Sequence, residues 1–226
     1  MIKSKMVETR FFPSLKGAIA MTATLSKLFT FEEWLAYEDG TDALYELDRG
    51  VLVEMGQARG RHGDIMEFLN DQFKAEIAKT NLPWISKMGG QVAVRVPQVG
   101  RRDTSRVPDV VVMGTEQWVE MAEREAVIEL DEPPPPLVVE VVSTGTEITD
   151  HRKKRAEYNI LGIGCYILVD WVKVNQNKKP MEQRVTVLTL RDGLYDEAVY
   201  RGDEIVNIPT FPNLKLTANQ IIQAKL

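Results

Sequence analysis

Two stretches of the chain are almost entirely apolar, and each contains a single carboxylate. Residues 137–143 read LVVEVVS around Glu140, and residues 107–113 read VPDVVVM around Asp109. Near-continuous runs of Val and Leu are typical of strands inside a sheet with both faces covered. A Glu in such a strand is costly to keep charged unless it has a partner, a metal ion or an exposed strand end. The pattern therefore predicts two core strands and indicates a metal site at their acids.

Helices and hairpins are predicted around these two strands. Thr30 and Glu33 form a capping box at the start of a helix, and apolar residues recur at intervals of three and four between residues 61 and 79. Gly-containing turns separate strand-like runs, which is typical of hairpins. Helices are predicted over residues 31–37, 61–79, 150–161 and 217–224, hairpins over 44–55, 84–96 and 184–200, and another core strand over 165–170. This order indicates an α/β fold with a mixed sheet.

Length and composition suit one globular domain. The 226 residues are predicted to form a flexible N-terminal extension over residues 1–22 and a single domain over residues 23–226. The single cysteine, Cys165, excludes an internal disulfide and favours a reducing compartment. No apolar run is long enough to span a membrane, so we expect a cytoplasmic protein. The net charge of −5 leaves nucleic-acid contact to local basic patches.

The two strand acids also indicate a particular chemistry. Ligand sets made only of oxygen favour a hard cation, and Mg²⁺ is usually held by one or two carboxylates together with waters and substrate phosphates. Such a metal ion can polarise a phosphoryl oxygen and generate hydroxide near neutral pH. A nearby lysine can orient the attacking water or stabilise the developing charge. Asp109, Glu140 and a lysine are therefore candidates for phosphodiester hydrolysis.

Several short motifs follow one another in an order typical of a known family. They are Tyr45-Glu46-Leu47 followed by Arg49-Gly50, His62 at the start of a helix, Pro108-Asp109, VEVVS over residues 139–143, Lys154 four residues before Tyr158, and YILVD over residues 166–170. Together they resemble the PD-(D/E)XK nuclease superfamily, and more narrowly the Uma-type endonuclease family, formerly a domain of unknown function. The resemblance covers about residues 31–222. It implies a restriction-endonuclease-like fold, a mixed β-sheet flanked by helices, with additional β-hairpins.

The resemblance also implies which acids form the site. Asp109 and Glu140 are expected to bind Mg²⁺ (or Mn²⁺) and to act in catalysis. Glu46 matches an additional acid that the superfamily contributes from an early element, and it is expected to bind the metal directly or through water. His62 is expected to be a helix-terminus or packing residue rather than a base.

One departure from the superfamily pattern concerns the lysine. The residue two positions after Glu140 is Val142 instead of the lysine of the motif. Helical periodicity alone does not choose between Lys153 and Lys154 as a substitute. The resemblance favours Lys154 as the catalytic lysine.

Basic residues that flank the acidic strands are candidates for contact with the DNA backbone. They are Arg101, Arg102, Arg106 and Lys153. A phosphate backbone at the site would have to pass these segments. The alternative is that they are ordinary solvated side chains.

The function expected from these observations is Mg²⁺-dependent hydrolysis of DNA phosphodiester bonds by an endonuclease. Two active sites would suit the cleavage of both strands of a duplex, so a homodimer is expected, although no sequence feature marks the interface. One alternative is a catalytically inactive module of the same fold that binds nucleic acid or protein. A second is a structural or interaction protein whose buried acids only form hydrogen-bonded networks.

Overall fold

Short strands and helices alternate irregularly along the computed structural model, which describes residues 27–41, 43–56, 60–174 and 177–225. The predicted extension over residues 1–22 lies outside this part. In chain order the strands are β1 (Tyr45–Asp48), β2 (Val51–Glu54), β3 (Trp84–Met88), β4 (Ala93–Val96), β5 (Thr104–Arg106), β6 (Val110–Gly114), β7 (Val127–Ile128), β8 (Leu137–Val142), β9 (Cys165–Asp170), β10 (Arg184–Arg191), β11 (Leu194–Tyr200), β12 (Ile205–Val206) and β13 (Leu216–Thr217). The helices are α1 (Phe31–Leu35), α2 (Gly60–Thr80), α3 (Thr115–Glu120), α4 (Arg155–Leu161) and α5 (Ala218–Ile222), with a 3₁₀ turn at Met121–Glu123 and a π-helix at Thr149–Lys154.

The two acidic strands are neighbours in a six-stranded mixed sheet. Its strand order is β11-β10-β9-β8-β6-β3. β8 and β9 are parallel, whereas β6 and β8 are antiparallel with Val110 opposite Val139. Continuing that register by one residue places Asp109 opposite Glu140. Asp109 itself lies just before β6 rather than within the strand.

Side chains cover both faces of this sheet. On one face α2 and α5 pack against alternate residues of β6, β8 and β9. On the other face Tyr158 of α4 packs against the intervening residues of the same strands, including Val138 and Tyr166. Because side chains alternate along a strand, both sets must be apolar, which explains the near-continuous apolar runs. All six residues of β8 are buried, and this confirms the prediction of a core strand.

A second, five-stranded sheet has the order β2-β1-β5-β4-β7. It packs against α1 through a small cluster that includes Phe31, Leu47 and Val127. Leu47 pairs with Ser105, so the antiparallel register places Glu46 opposite Arg106. Residues 107–109 then carry the chain from β5 in this sheet to β6 in the other.

The predicted hairpin over residues 84–96 is wrong. β3 pairs with β6 in the six-stranded sheet, whereas β4 pairs with β5 and β7 in the five-stranded sheet. Gly89 and Gly90 both have positive φ angles, of 42° and 77°. The amide of Gly89 donates a hydrogen bond to the carbonyl oxygen of Asp109 at 2.9 Å. The glycine pair therefore directs the chain from one sheet to the other, which local sequence does not distinguish from a hairpin turn.

Most other predicted elements are confirmed. The hairpins over residues 44–55 and 184–200 form as β1–β2 and β10–β11, and the capping box of Thr30 and Glu33 starts α1. The predicted helix over residues 150–161 is divided between the π-helix and α4, and it ends at Gly162 in the left-handed conformation. Arg106, which was expected to flank an acidic strand, lies at the end of a buried strand, β5, whose residues pair on both sides.

Leu137 tests how strongly the fold depends on β8. Its side chain is 0% exposed, whereas Leu194 on β11 is 70% exposed. Leu137→Ala is expected to lower the free energy of unfolding by about 2–5 kcal/mol, because it leaves a cavity in the sheet interior. Leu194→Ala is expected to change it by less than about 0.5 kcal/mol. Urea denaturation of both variants measures the difference, and equal effects would contradict the packing described here.

Candidate functional site

A cleft of about 800 Å³ lies where the two sheets meet. Its apolar lining includes Val53 and Met66. Its ionisable lining residues come from six separate parts of the chain, namely Glu46 of β1, Glu54 of β2, His62 of α2, Asp109 before β6, Glu140 of β8, and Asp150 and Lys154 of the π-helix. Three of these five acids, Glu46, Asp109 and Glu140, were expected at the site from the sequence. They converge because the strands that carry them enter the cleft from both sheets.

The ammonium group of Lys154 lies among three of these carboxylates. Its Nζ is 2.9 Å from Glu140 Oε2, 3.3 Å from Glu46 Oε1 and 3.4 Å from Asp150 Oδ1. Burial disfavours the charged form of this lysine, but the three carboxylates outweigh that cost and raise its pKa. Lys154 is therefore a protonated cation and not a base at neutral pH.

Glu140 is buried within β8, where its carboxylate forms one hydrogen bond and one ion pair. Tyr158 donates its hydroxyl to Oε1 at 2.8 Å, and Lys154 contacts Oε2. Burial raises the pKa of Glu140 well above its usual range, Lys154 opposes this, and the charges of Asp150 and Asp109 add to it. The carboxylate therefore lies where additional positive charge would be favourable.

Asp109 is held at the edge of β8. Its Oδ2 accepts a hydrogen bond from the amide of Val141 at 2.6 Å, and its Oδ1 is 3.0 Å from His62 Nε2. The first contact follows from the register, because Val141 is next to the residue opposite Asp109. His62 lies in the first turn of α2, and the structure places its ring against a site acid.

Glu46 is tied to the interior of the five-stranded sheet. Its Oε2 accepts a hydrogen bond from Arg106 Nη1 at 3.1 Å, and its Oε1 accepts one from the amide of Val107 at 3.1 Å. Arg106 also donates from Nε and Nη2 to both carboxylate oxygens of Glu157, at 2.7 and 2.9 Å. Because the Arg106 side chain is only 2% exposed, its guanidinium is engaged within the protein.

The other basic candidates lie on the surface outside the cleft. Arg101 and Arg102 are exposed in the turn between β4 and β5, and Arg102 Nη1 is 3.9 Å from Glu33 Oε2. Lys153 binds Asp48 Oδ2 at 2.9 Å with 41% of its side chain exposed. Lys154 therefore lines the cleft in the described part of the chain, whereas the four predicted DNA-contact residues do not.

Comparison with known protein families shows which family the chain belongs to. The sequence model of the Uma2 family, which carries the description "Putative restriction endonuclease", matches residues 31–219. The chain belongs to the Uma2 family. The match includes every acid and lysine of the cleft, and it confirms the resemblance found in the sequence.

A solved structure shows the same fold. It is the crystal structure of a "putative nuclease belonging to DUF820" from Anabaena variabilis ATCC 29413, with a TM-score of 0.66, 18% identity, and coverage of 86% of this chain and 98% of that one. The likeness confirms the restriction-endonuclease-like mixed sheet flanked by helices. A comparison with curated proteins found no match. In the described part of the chain, no helix is long and apolar enough to cross a membrane.

Asp150 is a cleft acid of this Uma2-family protein that sequence reasoning missed. It is 2% exposed, and burial raises the pKa of its carboxyl group. Its backbone carbonyl accepts a hydrogen bond from Tyr166 at 3.0 Å, which fixes the π-helix against β9. The spacing of four residues between Asp150 and Lys154 is the sequence signal that could have identified it.

The donor set of the cleft fits a divalent metal ion bound by few protein ligands. Among the described residues, no three acidic, His or Cys side chains form a ready-made metal cage. Mg²⁺, however, commonly takes one or two carboxylates and completes its shell with waters and phosphates. Asp109 and Glu140 are opposite each other at the cleft, and each carboxylate oxygen has two lone pairs, so one contact does not exhaust it. These two residues can therefore supply the protein ligands.

The buried cation of this Uma2-family site can be tested by a matched pair of substitutions. Lys154→Met is expected to lower the free energy of unfolding by about 3–5 kcal/mol, because three buried carboxylates lose their shared counter-charge. Lys153→Met, next to it but on the surface, is expected to cost less than about 1 kcal/mol. Urea denaturation at neutral pH gives both values. Similar losses for the two variants would show that Lys154 does not neutralise the cluster.

Proposed function

We propose that this protein is a metal-dependent endonuclease that hydrolyses DNA phosphodiester bonds in the cleft. The observation that carries the proposal is the convergence of Asp109, Glu140 and Lys154 from three separate elements on one accessible cleft. Two opposed carboxylates with a neighbouring ammonium match the chemistry of phosphoryl transfer, in which charge on phosphoryl oxygens must be neutralised. Membership of the Uma2 family supports a nuclease activity.

Asp109 and Glu140 would hold the metal ion, which is Mg²⁺ or Mn²⁺ in this proposal. When bound, the ion supplies Lewis-acid stabilisation of the phosphoryl oxygens. The contact of His62 with Oδ1 and that of Val141 with Oδ2 fix the plane of the Asp109 carboxylate. Tyr158 fixes Glu140 in the same way. The chain thereby orients its carboxylates before a substrate arrives.

Lys154 would act on the substrate as a cation. Its proton is held firmly, so its positive charge would stabilise a phosphoryl oxygen or orient the attacking water, and it would not remove a proton. Glu46 and Asp150 fix the position of this ammonium group. Glu46 would be an assisting acid and metal ligand through Oε2, which accepts one hydrogen bond from Arg106 and keeps a second lone pair.

The DNA backbone would be attracted by local charges rather than by the whole protein, whose net charge is −5. Arg101, Arg102 and Lys153 remain proposed contacts on the surface. Arg106, which was expected to contact DNA, is not a proposed contact because its donors are occupied inside the protein. We retain it as the residue that orients Glu46. A homodimer and a cytoplasmic location remain predictions, and the mass of the protein in solution would test the first.

The inactive binding module remains the second candidate because of a specific feature of the cleft. Lys154 already neutralises Glu140, which reduces the need of that carboxylate for a metal ion. A protein of this kind would bind nucleic acid or protein without metal and without cleavage. Metal binding and cleavage measured together separate the two functions.

Calorimetric titration of Mn²⁺ and cleavage of plasmid DNA test the proposal directly. The wild-type protein is expected to bind the ion stoichiometrically and to cleave DNA. Asp109→Asn and Glu140→Gln are each expected to abolish binding and to slow cleavage by about 100-fold or more. Asp131→Asn, at an exposed acid outside the cleft, is the matched control and should leave both unchanged. Wild-type cleavage by both cleft variants would refute the proposed mechanism, and DNA binding without metal or cleavage would support the binding module.

A further inference from the structure

A second pocket of about 300 Å³ adjoins the cleft. The two spaces share four lining residues, which are Ala43, Leu44, Gly90 and Val107. We call the second space the aromatic pocket because Trp34, Tyr37 and Tyr45 line it. Its volume is at the lower end of the range for ligand sites, which suits one small planar group. A molecule bound in the cleft could therefore extend one group into the aromatic pocket.

The aromatic rings of this pocket are held in place before any ligand binds. Trp34 donates its indole N–H to the carbonyl of Tyr45 at 2.8 Å, and Tyr45 donates its hydroxyl to Asp39 Oδ2 at 2.6 Å. The rings of Tyr37 and Tyr45 meet edge to face, with centroids 5.5 Å apart. Ordering these side chains on binding would cost little, because their neighbours already restrict them.

The remaining lining favours an uncharged ring over a phosphate. Among the described residues that line the aromatic pocket, none is a lysine or arginine, and the charged one is Glu125. An anion would be repelled there. The carboxylate of Glu125 can instead accept a hydrogen bond from an amino group at the edge of a base. Oε1 of Gln91 can do the same with the lone pair that the Met88 amide does not use.

Gly90 lines both the cleft and the aromatic pocket. Its φ angle is 77°, which favours glycine, and a Cβ atom at this position would lie 2.5 Å from Leu44 Cδ1. Any other residue would displace Leu44 at the wall that the cleft and the aromatic pocket share. The absence of a side chain therefore leaves Leu44 in its present position between the two spaces.

We propose that the aromatic pocket receives an unpaired nucleobase of the strand whose phosphodiester lies in the cleft. The inference rests on the proposed nuclease function and narrows its substrate to single-stranded or locally unpaired DNA. Extrusion of a base from a duplex costs a few kcal/mol. Stacking on an aromatic side chain returns only about 1–3 kcal/mol per base. The pocket cannot drive extrusion from an intact duplex, and it selects strands whose bases are already free.

Fluorescence anisotropy with two labelled strands of equal length tests this pocket. One is a single-stranded oligodeoxyadenylate, and the other carries the same phosphates without bases. In EDTA, the wild-type protein is expected to bind the first about tenfold more tightly, as expected for one stacked base. Tyr37→Ala is expected to remove this preference without changing affinity for the abasic strand. Tyr200→Ala, at a partly exposed tyrosine on β11, is the control and should retain the preference.

A second variant tests the pocket independently, in case Tyr37→Ala fails to fold. Leu44 is 50% exposed at the shared wall. Leu44→Trp places a larger side chain there, which fills the pocket and removes no contact. It is expected to remove the base preference as well, with an unchanged thermal melting curve. Equal wild-type affinity for both strands would overturn the inference, as would a preference that persists in both pocket variants. Binding is measured without metal and therefore does not depend on cleavage. A protein that shows the base preference but cleaves no DNA would support the pocket and refute the proposed nuclease activity.

Discussion

The ion cluster around Lys154 is the constraint on which the rest of the site depends. Three carboxylates meet there from β1, β8 and the π-helix, and their mutual repulsion is strong because water is largely excluded. One ammonium group makes their coexistence possible. Removing a partner from such a cluster costs more than the pair itself contributes, since the charges left behind remain buried. The π-helix, which carries both Asp150 and Lys154, is therefore bound to both sheets.

A second buried cation completes the connection between the sheets. Arg106 binds Glu46 on the neighbouring strand and Glu157 on α4. Glu46 in turn contacts Lys154, so two cations and the acids between them form a continuous network from β5 to β8. The fork of the guanidinium suits the bidentate contact with Glu157, which a lysine could not reproduce. The same network that joins the layers thus also positions the polar groups of the cleft.

Local sequence predicted most elements because their signals are short-range. The capping box of Thr30, the turns of the hairpins at 44–55 and 184–200, and the period of α2 each depend on residues a few positions apart. The same kind of signal failed at residues 84–96, because Gly89 and Gly90 allow a tight turn without specifying the partner of either strand. β3 and β4 find their partners in β6 and β5, which follow later in the chain.

The sequence by itself determined the core strands and the family, because apolar runs and motif order are properties of the linear chain. It also made Asp109 and Glu140 the candidate acids. Only the tertiary structure decided that Asp109 and Glu140 lie opposite each other, that Arg106 is buried, and that Asp150 joins the site. Helical periodicity did not separate Lys153 from Lys154, and only the family resemblance favoured Lys154. Lys153 and Lys154 are adjacent, and their environments differ only because α4 and the π-helix pack against β8 in one orientation. Burial is set by residues distant in the chain. The four-residue spacing of Asp150 and Lys154 allows their contact, but it does not show that the pair is buried against Glu46 and Glu140.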